Sequence, residues 1–165
     1  MTTWRFIPPV RMADTLTPEQ RHLNMSRIRS ADTKPEMLIR RMLHGRGFRY
    51  RLHRSALPGT PDIVLPRYNA VVMIHGCFWH GHRCHLFSLP KTHTEFWAGK
   101  IAVNQERDQK AEYDLRKLGW RVACIWECAL RGRKKQDRVF VTDKLSEFVN
   151  SAENRLEIYG RRSDS

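Results

Sequence analysis

From Thr17 the apolar positions recur at helical spacing, and from Phe48 they change to the shorter period of strands. Thr17-Pro18-Glu19-Gln20 has the form of a helix start, with Thr17 as N-cap and Pro18 in the first turn. The short helix it opens carries Leu23, Met25 and Ile28, interleaved with Arg27 and Arg29. Thr33-Lys34-Pro35-Glu36 matches a capping box, in which the Thr33 hydroxyl and the Glu36 carboxylate each satisfy a free N–H. The helix behind it runs to about His44, with Met37, Leu38, Met42 and Leu43 apolar, and Gly45 and Gly47 stop it.

Phe48-Arg49-Tyr50-Arg51-Leu52 alternates like a strand with one wet face. Asp62 to Leu65 and Ala70 to Ile74 predict a hairpin through Pro66-Arg67-Tyr68-Asn69. The second of these strands is apolar throughout, which predicts a central place covered on both faces. A long helix is predicted from Thr94 to Leu118, ended by Gly119, then a strand from Trp120 to Trp126. A last helix is predicted from Val141 to Val149 with Thr142 as its cap. Residues 1–16 lack periodicity and read as a mobile basic leader, 17–150 as one domain, and 151–165 as a polar tail. Helices flanking a small mixed sheet make the class α/β.

Composition adds a partner. The chain has 165 residues, enough for one domain with a real core, and its 30 Lys and Arg against 17 Asp and Glu give +13. With an isoelectric point near 10.3, the balance favours a polyanion, bound through phosphate neutralisation and counterion release. No apolar run is long enough for a signal peptide or a membrane span, so the expected location is the cytoplasm, on the nucleoid when DNA is bound. Four cysteines without an export signal read as thiols or metal ligands rather than disulfides.

The candidate chemistry concentrates between His75 and Cys84. Cys77, His82 and Cys84 are soft ligands suited to a tetrahedral zinc ion, which wants a fourth. Cys128 is the leading candidate, Cys124 reads as a small buried thiol, and unmetallated thiols are the competing account. Asp62 opens a strand after Pro61, where a carboxylate can hold Mg²⁺ against a phosphate, or simply satisfy turn N–H groups. His75 and His80 suit proton transfer, with zinc ligation or a plain surface role as alternatives. Asp108 falls on the inward stripe of the long helix with Trp97, Ile101, Asn104, Ala111 and Leu115. There it needs a partner, either a histidine of the neighbouring loop or an Arg or Lys. Phe78 and Trp79 are adjacent between polar residues, so wedging against bases competes with a core role; for Met25 and Ile28 the core role is the better reading.

Several motifs in order then carry a resemblance: Asn24-Met25, Leu57-Pro58-Gly59-Thr60-Pro61-Asp62, His75-Gly76-Cys77-Phe78-Trp79-His80, Thr94-Glu95-Phe96-Trp97, Leu118-Gly119-Trp120-Arg121-Val122 and Trp126-Glu127-Cys128-Ala129-Leu130-Arg131-Gly132. From about Leu23 to about Arg133 the chain resembles the bacterial very-short-patch-repair (Vsr) DNA mismatch endonucleases. The resemblance implies a restriction-endonuclease-like (type II) fold with a structural zinc site. It implies an Mg²⁺-dependent nick of one strand of double-stranded DNA, 5′ to the thymine of a T:G mismatch left by 5-methylcytosine deamination. The implied setting is work alongside a cytosine-5 DNA methyltransferase and mismatch-repair proteins; the expected state of the chain is a monomer.

By motif position Asp62 resembles the Mg²⁺-binding aspartate, His75 and His80 the active-site histidines, Asp108 their supporting acid, and Glu36 a glutamate near the metal-bound water. Cys77, His82, Cys84 and Cys128 resemble the zinc ligands; Phe78 and Trp79 the major-groove aromatics; Met25 and Ile28 the minor-groove wedge. Ile74 departs from the hydroxyl residue common in the family, but its backbone carbonyl is retained. Two rival functions are a restriction-type enzyme cutting paired duplex and a zinc-stabilised module that binds mismatches without cutting.

Overall fold

Valine and isoleucine runs build the centre of this protein. The computed structural model describes residues 17–26 and 31–162, without the side chains of Arg21 and Met25. Five strands form one mixed sheet in the order of the chain: β1 Arg51–Leu52, β2 Ile63–Leu65, β3 Ala70–His75, β4 Arg121–Trp126 and β5 Arg155–Ile158. β1, β2 and β3 run antiparallel, with Leu65 opposite Ala70 across the expected hairpin. β3 pairs in parallel with β4, Val71 opposite Val122 and His75 opposite Trp126, and β4 in parallel with β5. Parallel neighbours need long crossovers. The first passes through a loop and α3 (Thr94–Lys117), the second through α4 (Glu127–Leu130) and α5 (Arg138–Asn150).

The pleat sends alternate residues to two cores. Ala70, Val72, Ala123 and Ile125 pack with Ile39 and Leu43 of α2 (Lys34–Gly45) and with Val141, Leu145 and Phe148 of α5. Val71 and Val122 face the other way, against Leu115 of α3. Each fully buried Leu, Ile or Phe contributes roughly 1.5–3 kcal/mol, so β3, apolar on both faces, is the natural centre. Gly59 keeps this second layer tight: it holds φ +69°, and a Cβ there would sit 2.6 Å from the Ala111 methyl of α3.

Three expectations change. The predicted strand from Phe48 narrows to Arg51–Leu52, because β2 offers partners only at Val64 and Ile63 and Phe48 turns into the core. The last helix starts at Arg138, capped by Asp137, whose carboxylate accepts from the N–H groups of Val139 and Phe140; Thr142 lies inside it, bonded to the Arg138 carbonyl. The stretch expected as a polar tail contains β5, whose Leu156 and Ile158 pack on the core while Arg155 and Glu157 pair with each other.

The N-terminal unit contributes α1 (Pro18–Ser26), where the Thr17 hydroxyl accepts from the Gln20 N–H and the Gln20 side chain accepts from the Thr17 N–H. The leader 1–16, Ile28, and the Met25 side chain lie outside the described residues, as do 163–165. Among the described residues no helix is long and apolar enough to cross a membrane.

Candidate active site and metal centre

Because β3 and β4 are parallel, their C-terminal ends open on the same edge, and there the candidate residues collect. His75 ends β3; the chain then turns through Gly76 to His82 and is held by α3. The Asn104 amide donates to the Trp79 carbonyl (2.9 Å) and the Gln105 amide to the His80 carbonyl (3.2 Å). Gly81 makes that approach possible, since its φ is +63° and a Cβ would lie 2.5 Å from the Gln105 amide nitrogen.

The two imidazoles of His75 and His80 stack face to face, 4.0 Å between centroids and 3° from parallel. His80 Nδ1 bonds the Asp108 carboxylate, so of the partners left open for Asp108 the structure supplies the histidine. His75 is buried, its Nδ1 3.5 Å from Cys124 Sγ and its Nε2 without a hydrogen-bond partner among the described residues. Burial, then the neighbouring His80 charge, presses His75 down to about 4, so this ring is neutral near physiological pH. Burial pushes the Cys124 thiol up, leaving it an S–H group. A cavity of about 330 Å³ opens over these groups, lined by His75, His80, Asp108, Cys124 and Trp126.

Asp62 sits at the lip of β2. Its Oδ2 accepts from the Ile74 N–H at 2.7 Å, and its Oδ1 faces His53 Nδ1 at 4.0 Å. Burial lifts its carboxyl to about 6 against the pull of the Ile74 N–H, and the nearby Glu36 charge adds to the rise. Glu36 is itself 3% exposed. It keeps its capping role, one oxygen meeting the Asp32 N–H and the other the Thr33 hydroxyl, and also pairs with Arg40 at 3.1 Å. Capping and proximity to Asp62 therefore coexist in one side chain.

Cys77, His82, Cys84 and Cys128 each present a ligand atom, all within 4.8 Å of one another. Cys128 arrives from the first turn of α4, directly after β4, as its place beyond Trp126 suggested. The thiols are free, and the cluster is compatible with a metal ion. A hydrogen bond from Cys77, together with the Gly160 N–H at 3.2 Å, holds Cys128 below the usual thiol range, while Cys77 is held above it. His82 stacks on Trp126 at 4.3 Å, which fixes its ring.

Phe78 and Trp79 are half-buried and meet edge to face at 5.1 Å, with Trp97 of α3 against both and Phe87 beside Phe78. The Lys100 ammonium lies over Trp79, Phe96 and Trp97, so the cluster is both aromatic and cationic at its surface.

Comparison with known proteins decides the family. Residues 13–86 match the family model of the DNA mismatch endonuclease Vsr. The chain is 50% identical over 119 residues to the type II nicking enzyme V.XorIIP of Xanthomonas oryzae pv. oryzae, covering 72% of this chain and 88% of that protein. It is 45% identical over 138 residues to the DNA mismatch endonuclease Vsr of Escherichia coli K12, covering 84% and 88%. It is 48% identical over 122 residues to V.NmeAIP of Neisseria meningitidis serogroup A, covering 74% and 87%. This chain belongs to the Vsr family. It is a DNA endonuclease, a hydrolase of phosphodiester bonds.

In this Vsr-family chain four side chains join the site that the sequence did not single out for it. Cys124 was legible only as a buried thiol, and Trp97 as a helix-face residue and part of the Thr94–Trp97 motif, without a site role. Arg40 and His53 carried no signal: they are thirteen positions apart, and only the fold brings their side chains to 2.9 Å.

Proposed function

We propose that the chain is an Mg²⁺-dependent endonuclease that nicks one strand of duplex DNA 5′ to the thymine of a T:G mismatch, starting very short patch repair after deamination of 5-methylcytosine. The carrying observation is that one segment, His75 to Cys84, holds the stacked imidazoles, the aromatic pair and three of the four clustered metal ligands. Opening a base step, bracing the loop and cutting are thereby coupled in space.

The mixed sheet, with an acid at the lip of an antiparallel strand, supports a restriction-endonuclease-like fold. Zinc suits the cysteine cluster. Zn–S bonds of about 2.3 Å and Zn–N bonds of about 2.0–2.1 Å give tetrahedral S···N edges of about 3.6 Å. The distances from His82 Nδ1 to Cys77 Sγ and Cys128 Sγ are 3.6 and 3.5 Å. With all four positions taken, such an ion is structural.

Asp62 is the fitting holder for magnesium: a hard oxygen donor, buried beside another carboxylate, where a cation relieves the cost of ionisation. Bound there, the ion would polarise the scissile phosphate and lower the barrier to attack by water. His80, with Asp108 on its Nδ1, takes the proton of the attacking water at Nε2, and Asp108 balances the charge that the ring gains. Two rings 4.0 Å apart cannot both be charged cheaply, and His75, held neutral by burial, removes that conflict while its Nε2 orients water or phosphate. Glu36 stands behind Asp62. Phe78 and Trp79 enter the stack from the major groove, with Met25 and Ile28 as the minor-groove counterpart; mismatches yield to such prying at lower cost than correct pairs. The enzyme acts as a monomer on DNA methylated by a cytosine-5 methyltransferase, in concert with mismatch-repair proteins.

The test uses labelled duplexes, paired or carrying T:G, with Mg²⁺, wild type and Asp62→Ala. Expected is nicking of the T:G strand alone, lost by about 10³-fold or more in the variant. No nicking at all would leave a binding module; equal cutting of paired DNA would make it a restriction-type enzyme; nicking that persists in Asp62→Ala would remove Asp62 from the metal site.

A further inference from the structure

We infer that the chain just beyond β5 carries a site for backbone phosphates of the DNA, built by Arg161 and Arg162 with Arg83 and Lys134 beside them. The inference takes from the proposed function only that the substrate is duplex DNA. A second cavity, of about 500 Å³, lies between the cysteine cluster and the residues that follow β5. Four positively charged side chains line it, Arg83, Lys134, Arg161 and Arg162, against one carboxylate, Glu157. Both oxygens of Glu157 are engaged, by the Trp126 indole N–H at 2.7 Å and the Arg155 guanidinium at 3.0 Å. A zinc ion on three thiolates and one imidazole would add a single negative charge, so the lining keeps a positive surplus. Like charges gathered around one cavity repel each other, and a bound anion removes that repulsion.

The two arginines are held in place by the segment that carries them. The Gly160 N–H meets Cys128 Sγ at 3.2 Å, and a Cβ at Gly160 would lie 2.8 Å from the Cys128 carbonyl and 2.9 Å from that of Lys134. Only glycine lets the chain pass this close. The Arg161 N–H donates to the Lys134 carbonyl at 2.7 Å and its Nε to the Lys135 carbonyl at 3.0 Å. The Gln136 amide donates to the Tyr159 carbonyl at 2.9 Å. Arg162 lies over the Tyr159 ring at 5.7 Å and donates to its hydroxyl at 3.1 Å. A guanidinium oriented in advance gives up less freedom when its planar fork meets a phosphate.

The sheet register relates this site to the imidazoles. Ile74, Ile125 and Ile158 stand side by side across β3, β4 and β5, so residues 159–162 leave the sheet on the edge that carries His75 and Trp126. His82 and Arg83 line both this cavity and the one over His75 and His80. The two cavities therefore adjoin. Two strand spacings of about 4.8 Å each separate β3 from β5. At a rise of about 3.4 Å per nucleotide, the phosphates held there would lie on the order of three nucleotides from the one cut.

The test measures binding of the full-length, zinc-replete protein to paired and T:G duplexes across a salt series. Arg161→Gln/Arg162→Gln keeps amide donors and removes two charges. The slope of log affinity against log salt is expected to fall by about 2, with the same loss on both duplexes. An unchanged slope, or a loss confined to T:G, overturns the site. Arg116→Gln/Lys117→Gln removes two exposed charges at the end of α3, on the opposite edge of the sheet, and is expected to keep the wild-type slope. An equal fall there would make the effect one of net charge and overturns the site as well. Should the first pair of substitutions release zinc, Arg162→Gln alone, whose side chain bonds Tyr159, carries the test with an expected change of about 1. Methylphosphonate linkages placed singly along each strand then locate the contact. At one or two positions near the cut they are expected to weaken wild type about tenfold and the variant hardly at all; finding no such position overturns the backbone assignment. Inorganic phosphate that shifts the Arg161 and Arg162 side-chain ¹⁵N signals of DNA-free protein at equimolar concentration would make the ligand a free anion, with the same consequence. Wild type that binds no duplex at all overturns the substrate reading, and the site with it.

Discussion

Asp62 is held where its ionisation costs stability. Its carboxyl stands at about 6 in the folded chain against an ordinary 3.8, chiefly through burial. Between these values the folded state binds a proton that the unfolded state has released, so the stability tied to this group falls as pH rises from about 4 to about 6. Above pH 6 the ionised group costs up to about 3 kcal/mol, at about 1.36 kcal/mol per unit. His75 has the opposite sign. Its folded value near 4 lies below the ordinary 6.5, so stability is lost as pH falls from about 6.5 toward 4. The two slopes oppose each other in the wild type. Asp62→Asn removes one of them, and is expected to be more stable than wild type by up to about 3 kcal/mol at pH 7.5 without added magnesium. The gain should shrink to nearly nothing by about pH 4. Urea unfolding at several pH values measures this; a gain that is absent at pH 7.5, or that grows on acidification, contradicts the burial account.

At the scale of elements, the loop between β3 and α3 is long and carries little regular structure, so its order must come from cross-links. On binding a metal ion the cysteine cluster would supply them, tying Cys77, His82 and Cys84 to Cys128 at the start of α4, where the Gly160 N–H meets Cys128 from beyond β5. The protein purified without chelator is expected to hold one equivalent of zinc. Stripping it should erase the near-ultraviolet dichroism of the aromatic cluster and the nicking activity, while the far-ultraviolet signal of helices and sheet largely remains; adding zinc should restore both. Protein that is metal-free yet keeps its aromatic signal and activity would remove the brace. The convergence of these four side chains was legible because three of them lie within eight residues and the fourth follows a recognisable strand. The capping box at Thr33 was legible for the same reason: cap and acid are three residues apart. The start of α5 was hidden because Val139 and Phe140 of its first turn are 62% and 42% exposed, so the apolar stripe begins only at Val141. β5 was hidden because it contributes only Leu156 and Ile158 to the core, between charges that satisfy each other. The contact between Arg40 and His53 was hidden for a third reason, since a pairing created by the fold leaves no local pattern.

For the molecule as a whole, attraction to DNA and the proposed recognition of a mismatch would have separate physical sources. The net charge of +13 is the balance of 30 basic against 17 acidic residues spread over the chain, whereas Phe78, Trp79 and Trp97 form one aromatic cluster. Phosphate neutralisation makes the logarithm of affinity fall with the logarithm of salt, by about 0.9 per phosphate contacted. Stacking against bases contributes roughly 1–3 kcal/mol per base and depends far less on salt. Replacing both Phe78 and Trp79 by Ala should therefore leave the binding of paired duplex, and its salt slope, within error of wild type. Preference for T:G over paired DNA should fall by about 10-fold to 10³-fold, in proportion to the stacking that is lost. The pair is only half-buried, so its removal should spare the two cores, which is checked by an unchanged urea midpoint. Binding isotherms for both duplexes across a salt series measure slope and preference together. A reduced salt slope would mean that the aromatics work by holding basic groups in place. An intact T:G preference would mean that recognition lies elsewhere, and the crowding of wedge, brace and imidazoles into one segment would then serve only to position the cut.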